Sequence, residues 1–168
     1  MLRPFRPEDV GPIARYATDE DYRRYLSPTH PGPEQFVAHN VDVDWSVERS
    51  WVICLDGKVA GSAFLGINGE DDAAELACLV APEFWRRRIA YEVCSAAIEH
   101  AFVELDLSKV VGRADSRHEA SIRLMRKLGM CSQGVARCLA DRQPDETVDE
   151  VIYAISRDDW SRVRSGAR

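Results

Sequence analysis

The feature that most restricts this chain is a proline and three arginines set between two apolar runs. Glu75-Leu76-Ala77-Cys78-Leu79-Val80 has the make-up of a buried strand, and Pro82 ends it because proline cannot continue a sheet ladder. Beyond the arginines, the stretch from Arg88 to Leu105 reads as a helix with no proline or glycine to interrupt it. Its polar positions Arg88, Glu92, Ser95 and Glu99 fall at steps of four, three and four, which makes one narrow stripe. The other positions, among them Ile89, Val93, Ala97, Ile98, Ala101 and Phe102, are apolar, so the helix is packed on most sides. A strand passing through a basic turn into a helix outlines an anion site. The first helical turn leaves N–H groups without intrahelical partners and carries partial positive charge.

Two further elements sharpen the outline. Lys109-Val110-Val111-Gly112-Arg113-Ala114 reads as another strand. His118 to Met130 reads as a helix with Ile122, Leu124, Met125 and Leu128 apolar and Gly129 suited to its stop. This run resembles the GNAT superfamily of acyl-CoA-dependent N-acyltransferases, and most of all the branch containing the ribosomal-protein N-terminal acetyltransferases. The family pattern is a strand, a proline, Q/R-x-x-G-x-G/A opening a helix, a strand, then N-x-x-S ahead of K-x-G-F. Here these read Trp85-Arg86-Arg87-Arg88-Ile89-Ala90, His118-Glu119-Ala120-Ser121 and Lys127-Leu128-Gly129-Met130. Trp85 stands where the family has Gln or Arg, Arg88 where it has Gly, His118 where it has Asn, and Met130 where it has Phe.

Taken in order, the chain reads as strand, two helices, three strands, helix, strand, helix and two strands. The first strand lies in Met1–Arg6. Helices follow from Glu8 to about Thr18 and around Phe36, Val37 and Val41, with the proline-rich loop from Ser27 to Pro33 between them. Ser50–Leu55 and Lys58–Gly66 form a hairpin about Asp56-Gly57, and Ala74–Val80 completes an antiparallel trio. Ser132–Leu139 and Thr147–Ser156 are the last strands, joined by the polar loop from Asp141 to Glu146. Trp160 packs, and the tail frays from about residue 161. The 168 residues suit one domain with one core. The resemblance implies a single-domain α/β GNAT fold over 1–168, a mostly antiparallel mixed sheet of about seven strands with four helices.

Charge narrows the function classes. A net charge of −6 argues against the broad positive field of a nucleic-acid binder, while the arginines at the hinge suit a local anion site. No apolar run approaches the roughly 20 residues of a membrane span, and the N-terminus lacks a signal-peptide core, so the expectation is cytoplasmic. Five cysteines show neither a C-x-x-C pair nor metal-ligand spacing and are expected to be structural thiols, with no metal.

Acyl transfer to an amine needs four things: the pyrophosphate held, the carbonyl polarised, a proton taken from the amine, and the thiolate protonated. The resemblance assigns the pyrophosphate of acetyl-CoA to the backbone of Arg86, Arg87, Arg88, Ile89 and Ala90. At Arg88 three outcomes stand open: a phosphate contact through the guanidinium, a plugged pocket, or a surface ion pair with Glu92. Main-chain groups of Cys78, Leu79 and Val80 are implied to face the carbonyl and the pantetheine arm. Glu75 is the first candidate base, because partial burial in an apolar strand would raise its pKa; the alternative has it facing solvent. Asp149 is a second base candidate. Many relatives carry a Tyr in the late helix that protonates the thiolate, and Met125 stands in its place here. Ser121 is then the remaining hydroxyl, unless it caps the helix. His118 either contacts the cofactor as the family's Asn does or titrates as a base. Two functions follow: an N-acetyltransferase acting directly in a ternary complex on a protein N-terminus or small amine, or a GNAT-fold binding module with an altered pyrophosphate loop. The apolar last strands allow a homodimer through a sheet edge.

Overall fold

The structure, a computed structural model, describes residues 1–20, 24, 32–139 and 147–166. Leu2–Arg3 (β1) leads through a 3₁₀ turn, Pro7–Asp9, into Val10–Ala17 (α1). Asp9 ties this entry down: it is buried, and its carboxylate accepts from Arg3 at 2.6 and 2.8 Å and from the Arg6 N–H at 2.8 Å. Pro33–Val41 is α2, with Pro33 at the position where a missing N–H costs least. The expected loops at 27–31 and 141–146 lie outside the described residues.

Glu48–Leu55 (β2), Lys58–Asn68 (β3) and Ala73–Val80 (β4) pair antiparallel, turning at Asp56-Gly57 as the sequence signals. A second 3₁₀ turn, Pro82–Phe84, precedes Ile89–Val103 (α3). Lys109–Asp115 (β5), Glu119–Lys127 (α4), Cys131–Leu139 (β6) and Thr147–Ser156 (β7) follow. The described strands form one sheet of seven, ordered β1-β2-β3-β4-β5-β7-β6. The α/β architecture therefore stands as the sequence and the resemblance implied.

Among the described residues one helix more than expected is present. Arg157–Ser165 (α5) continues through the segment predicted to fray. Ser156 caps it by accepting the Asp159 N–H at 3.1 Å, Asp158 and Asp159 fill its first turn, and Gly166 ends it in the left-handed conformation. Trp160 packs against Phe102 at 5.4 Å between ring centres, which anchors the helix to the core.

Two apolar clusters hold the sheet. One joins Leu65, Ala74, Leu76, Ile98, Phe102, Val110 and Ile155 beneath α3 and α4; the other joins Phe5, Ile13, Phe36, Val52, Ala63 and Phe84 beside α1 and α2. Helix α3 reaches both, through Ile89 and Val93 at its start and Ala97 to Phe102 farther on. Its all-round apolar sequence is thus explained by burial on two sides.

Candidate active site

The site begins where the sheet comes apart. β4 and β5 run parallel and pair only through Ala73↔Lys109, Ala74↔Val110 and Glu75↔Val111. Beyond Glu75 they diverge and leave a slot of about 260 Å³ lined by Leu76, Cys78, Gly112, Asp115, Ser121 and Met125, among others. Room for it comes partly from Gly112, where a Cβ would lie 2.9 Å from the Met125 sulfur.

The free edge of β4 faces this slot in alternation. Ala81 N–H donates to the Ala60 carbonyl at 2.8 Å, continuing the Gly61↔Val80 register. The Leu79 carbonyl also turns to β3: a Cβ on Gly61 would sit 2.1 Å from it. Cys78 and Val80, one residue either side, therefore present their main-chain groups to the β5 side. Of the three β4 positions implied by the resemblance, Leu79 is the one whose carbonyl faces away. Trp85 reaches back and donates its indole N–H to the Val80 carbonyl at 2.6 Å, so one of these edge groups is covered.

A larger groove of about 960 Å³ opens from the slot along the hinge, lined by Val80, Trp85 to Tyr91, Arg117 to Ser121, Arg123 and Lys127. Trp85 N–H donates to Pro82 at 3.1 Å and Glu92 N–H to Arg88 at 3.1 Å, but from Arg86 through Tyr91 no N–H donates to a main-chain carbonyl among the described residues. Arg86 and Arg88 are held at φ 61° and 62°, the left-handed region in which a non-glycine residue is strained by about 1–2 kcal/mol. Arg88 thus adopts the conformation that glycine favours, at the position where the resemblance implies a glycine. Successive N–H groups around left-handed residues, at the start of a helix, form a concavity that attracts anions.

The side chains around it are basic. Arg86, Arg87 and Arg88 are exposed, and Arg88 forms no ion pair with Glu92 among the described residues. The Arg87 guanidinium lies 5.6 Å from the Phe84 ring centre, and Lys127 Nζ lies 4.6 Å above Tyr91, joining α4 to α3. Arg117 and Arg123 complete the rim but are engaged, with Asp115 at 2.6 Å and Glu119 at 2.8 Å. The spacing Arg123-x-x-x-Lys127 on an amphipathic helix was the signal available for this basic wall; Asp115, Arg117 and Trp85 had no comparable one.

The candidate proton-transfer residues separate. Glu75 lies on the slot, but its side chain is 57% exposed and pairs with Arg113 at 3.2 Å, so the partial burial expected of it is absent. Arg113 also reaches Glu150 at 3.4 Å, which makes Glu75 one end of a surface network. Asp149 is exposed, pairs with Arg137 at 3.4 Å, and lines neither cavity. It sits on β7, with β5 between it and β4.

His118, Ser121, Cys78, Leu79 and Leu124 line both cavities and mark where they join. Ser121 is the third residue of α4, past the cap position held by His118, so the capping alternative for Ser121 falls. Burial holds the His118 imidazole below its ordinary pKa, with nearby Asp115 opposing that shift. Hydrogen bonds from Arg117 keep the Asp115 carboxyl below the usual range despite some desolvation. The Cys78 thiol is pushed well up by its hydrogen bond with Cys94 and by burial, as befits an unreactive thiol. Among the described residues no group of three or more side chains is placed to hold a metal ion.

Residues 1–131 match the acetyltransferase (GNAT) domain family. The chain belongs to it. The uncharacterized N-acetyltransferase YoaA of Bacillus subtilis (strain 168) is 32% identical over 148 residues, covering 82% of each chain. Spermidine N(1)-acetyltransferase of Escherichia coli (strain K12) is 27% identical over 136 residues, 79% of this chain and 73% of that protein. In fold, the chain is similar to Vibrio cholerae spermidine N-acetyltransferase solved with CoA and spermine (TM-score 0.78, 19% identity, 96% and 97% covered). It is an acyl-CoA-dependent N-acyltransferase. The N–H run, which has no main-chain acceptor among the described residues, and its basic rim fit the pyrophosphate of such a co-substrate, and the open edge of β4 fits a chain bearing amides.

Proposed function

We propose that this chain transfers the acetyl group of acetyl-CoA to a primary amine by direct attack in a ternary complex. The observation that carries this reading is the junction of the two cavities. A phosphate-suited groove leads along an open strand edge to a slot able to admit an amine. Arg86 to Ala90 hold the pyrophosphate through main-chain N–H groups, and the exposed arginines add charge. Cys78 and Val80 offer edge groups to the pantetheine arm. Ser121 and His118 stand at the junction, where a leaving thiolate needs a proton.

The acceptor is either a polyamine-like small molecule or a protein N-terminus. A polyamine is supported by the activity named for the Escherichia coli relative and by this protein's net charge of −6, which draws cations. The resemblance to the ribosomal-protein branch supports the second. A cytoplasmic location and a homodimer through the β6 edge complete the reading.

The alternative is a catalytically weak or inactive binding module with an altered pyrophosphate loop, and Arg88 and His118 are the residues that keep it open. Arg88 in the glycine-type conformation, with its side chain exposed beside an open groove, favours the enzyme. Thiol release from acetyl-CoA, followed with spermidine and with an N-terminal-amine peptide, tests this directly. Release with either amine supports acetyl transfer and names the acceptor class; binding of acetyl-CoA without release with any amine supports the binding module.

A further inference from the structure

Resting on the acetyl-transfer reading, we propose that His118 is the catalytic residue that carries the proton from the attacking amine to the departing sulfur. Elimination leads there first. Glu75 is exposed and held by Arg113, and Asp149 lines neither cavity. Met125 fills the late-helix position where many relatives have a Tyr, and a thioether has no proton to give. The Cys78 thiol is engaged with Cys94. Of the residues common to both cavities, His118 and Ser121 remain, and the imidazole is the one able both to take and to give a proton near neutral pH.

The surroundings suit that task. Burial favours the neutral ring, which is the form that must accept the amine's proton. Asp115, at the end of β5, offsets the cost of the transient imidazolium. The other charged or titratable groups lining the two cavities that meet here include Arg117, Glu119, Arg123 and Lys127 around and on α4, Glu75 and Cys78 on β4, Arg113 on β5, Tyr91 and Cys94 on α3, Arg86 to Arg88 across the groove, and Arg24. The step balances. The amine nitrogen bonds to the acetyl carbon and the carbon–sulfur bond breaks. One proton leaves nitrogen for the imidazole and passes to the thiolate, giving amide and CoA thiol with His118 neutral again.

The family's own residue supplies the test. His118→Asn keeps a side chain favoured at a helix cap and able to contact the cofactor, but it cannot relay a proton. Wild type, His118→Asn and His118→Gln are compared by calorimetry with acetyl-CoA and by kcat against pH with spermidine and an N-terminal-amine peptide. The proposal expects acetyl-CoA affinity within about threefold for His118→Asn, kcat lower by about 100-fold, and loss of the acid limb that it predicts for wild type. His118→Gln is expected to lose kcat likewise, which separates proton transfer from an effect peculiar to Asn. If His118→Asn keeps kcat within about threefold and the acid limb persists, His118 is a cofactor contact and the proposal is overturned while acetyl transfer stands. Wild type that binds acetyl-CoA yet turns over neither amine overturns both.

Discussion

At the hinge, the N–H groups of Arg86 to Tyr91 donate to no main-chain carbonyl among the described residues, and their placement depends on backbone angles more than on side chains. In the slot between β4 and β5, everything depends on which side chain stands where: Met125 where the resemblance implies a Tyr, His118 where it implies an Asn, Glu75 drawn to Arg113. The first kind of site tolerates a substitution that keeps the dihedrals, as Arg88 does at φ 62°. The second changes chemistry with one residue. An N–H run built by a strand, a turn and a helix start is therefore legible through mismatched letters, whereas a proton path is not.

The contrast predicts where damage will be greatest. Arg88→Pro cannot adopt a positive φ, so it should remove acetyl-CoA binding by about 100-fold or more in calorimetry, whatever charge Arg86 and Arg87 keep. Retained affinity would show the arginine side chains, not the backbone, to be the anchor. Gly61→Ala comes next, because its Cβ would meet the Leu79 carbonyl at 2.1 Å and push β3 from the strand that serves both regions. A loss of about 1–3 kcal/mol, or several degrees in Tm, is expected; an unchanged Tm would mean β4 relaxes freely.

Smaller effects fall on the slot and its supports. Burial lowers the pKa of His118, and for His100 burial, then the Arg49 charge, does the same. Protons are then taken up more readily by the unfolded chain, so stability should decline as pH falls below about 6.5 and level off once both folded histidines titrate. Asn in place of both histidines should flatten that part of a Tm–pH profile; an unaltered slope would place the effect elsewhere. Glu75→Gln should change least, with kcat within about threefold, since the pair with Arg113 is largely solvated. A hundredfold fall would restore Glu75 as the base and blur the contrast.

What was readable in the sequence follows the same division. The order of elements along the chain, the Asp56-Gly57 hairpin and the doubly buried α3 come from periodicity and turn residues, which act locally. Helix α5 was missed because its signal is a cap, Ser156 with Asp159, in a segment too polar to show an apolar face, and Trp160 alone marked the packing. At Glu75 the choice between burial and solvent stays open in the sequence for a related reason. An acid in an apolar strand can point either way, and its partner Arg113 lies 38 residues along the chain. The joining of His118 and Ser121 to Cys78 likewise depends on β4 and β5 parting after Glu75, a tertiary event that no local pattern records.

The central claim is that the hinge is an open acyl-CoA site whose arginine keeps a glycine's backbone. Calorimetric titration of the wild-type protein with acetyl-CoA, beside Arg88→Gly, tests it most directly. The account predicts one site per chain in both proteins, with affinity lowered by less than tenfold in Arg88→Gly as one exposed cation is lost. No binding by wild type, with binding gained in Arg88→Gly, would mean that the arginine closes the groove and would contradict it.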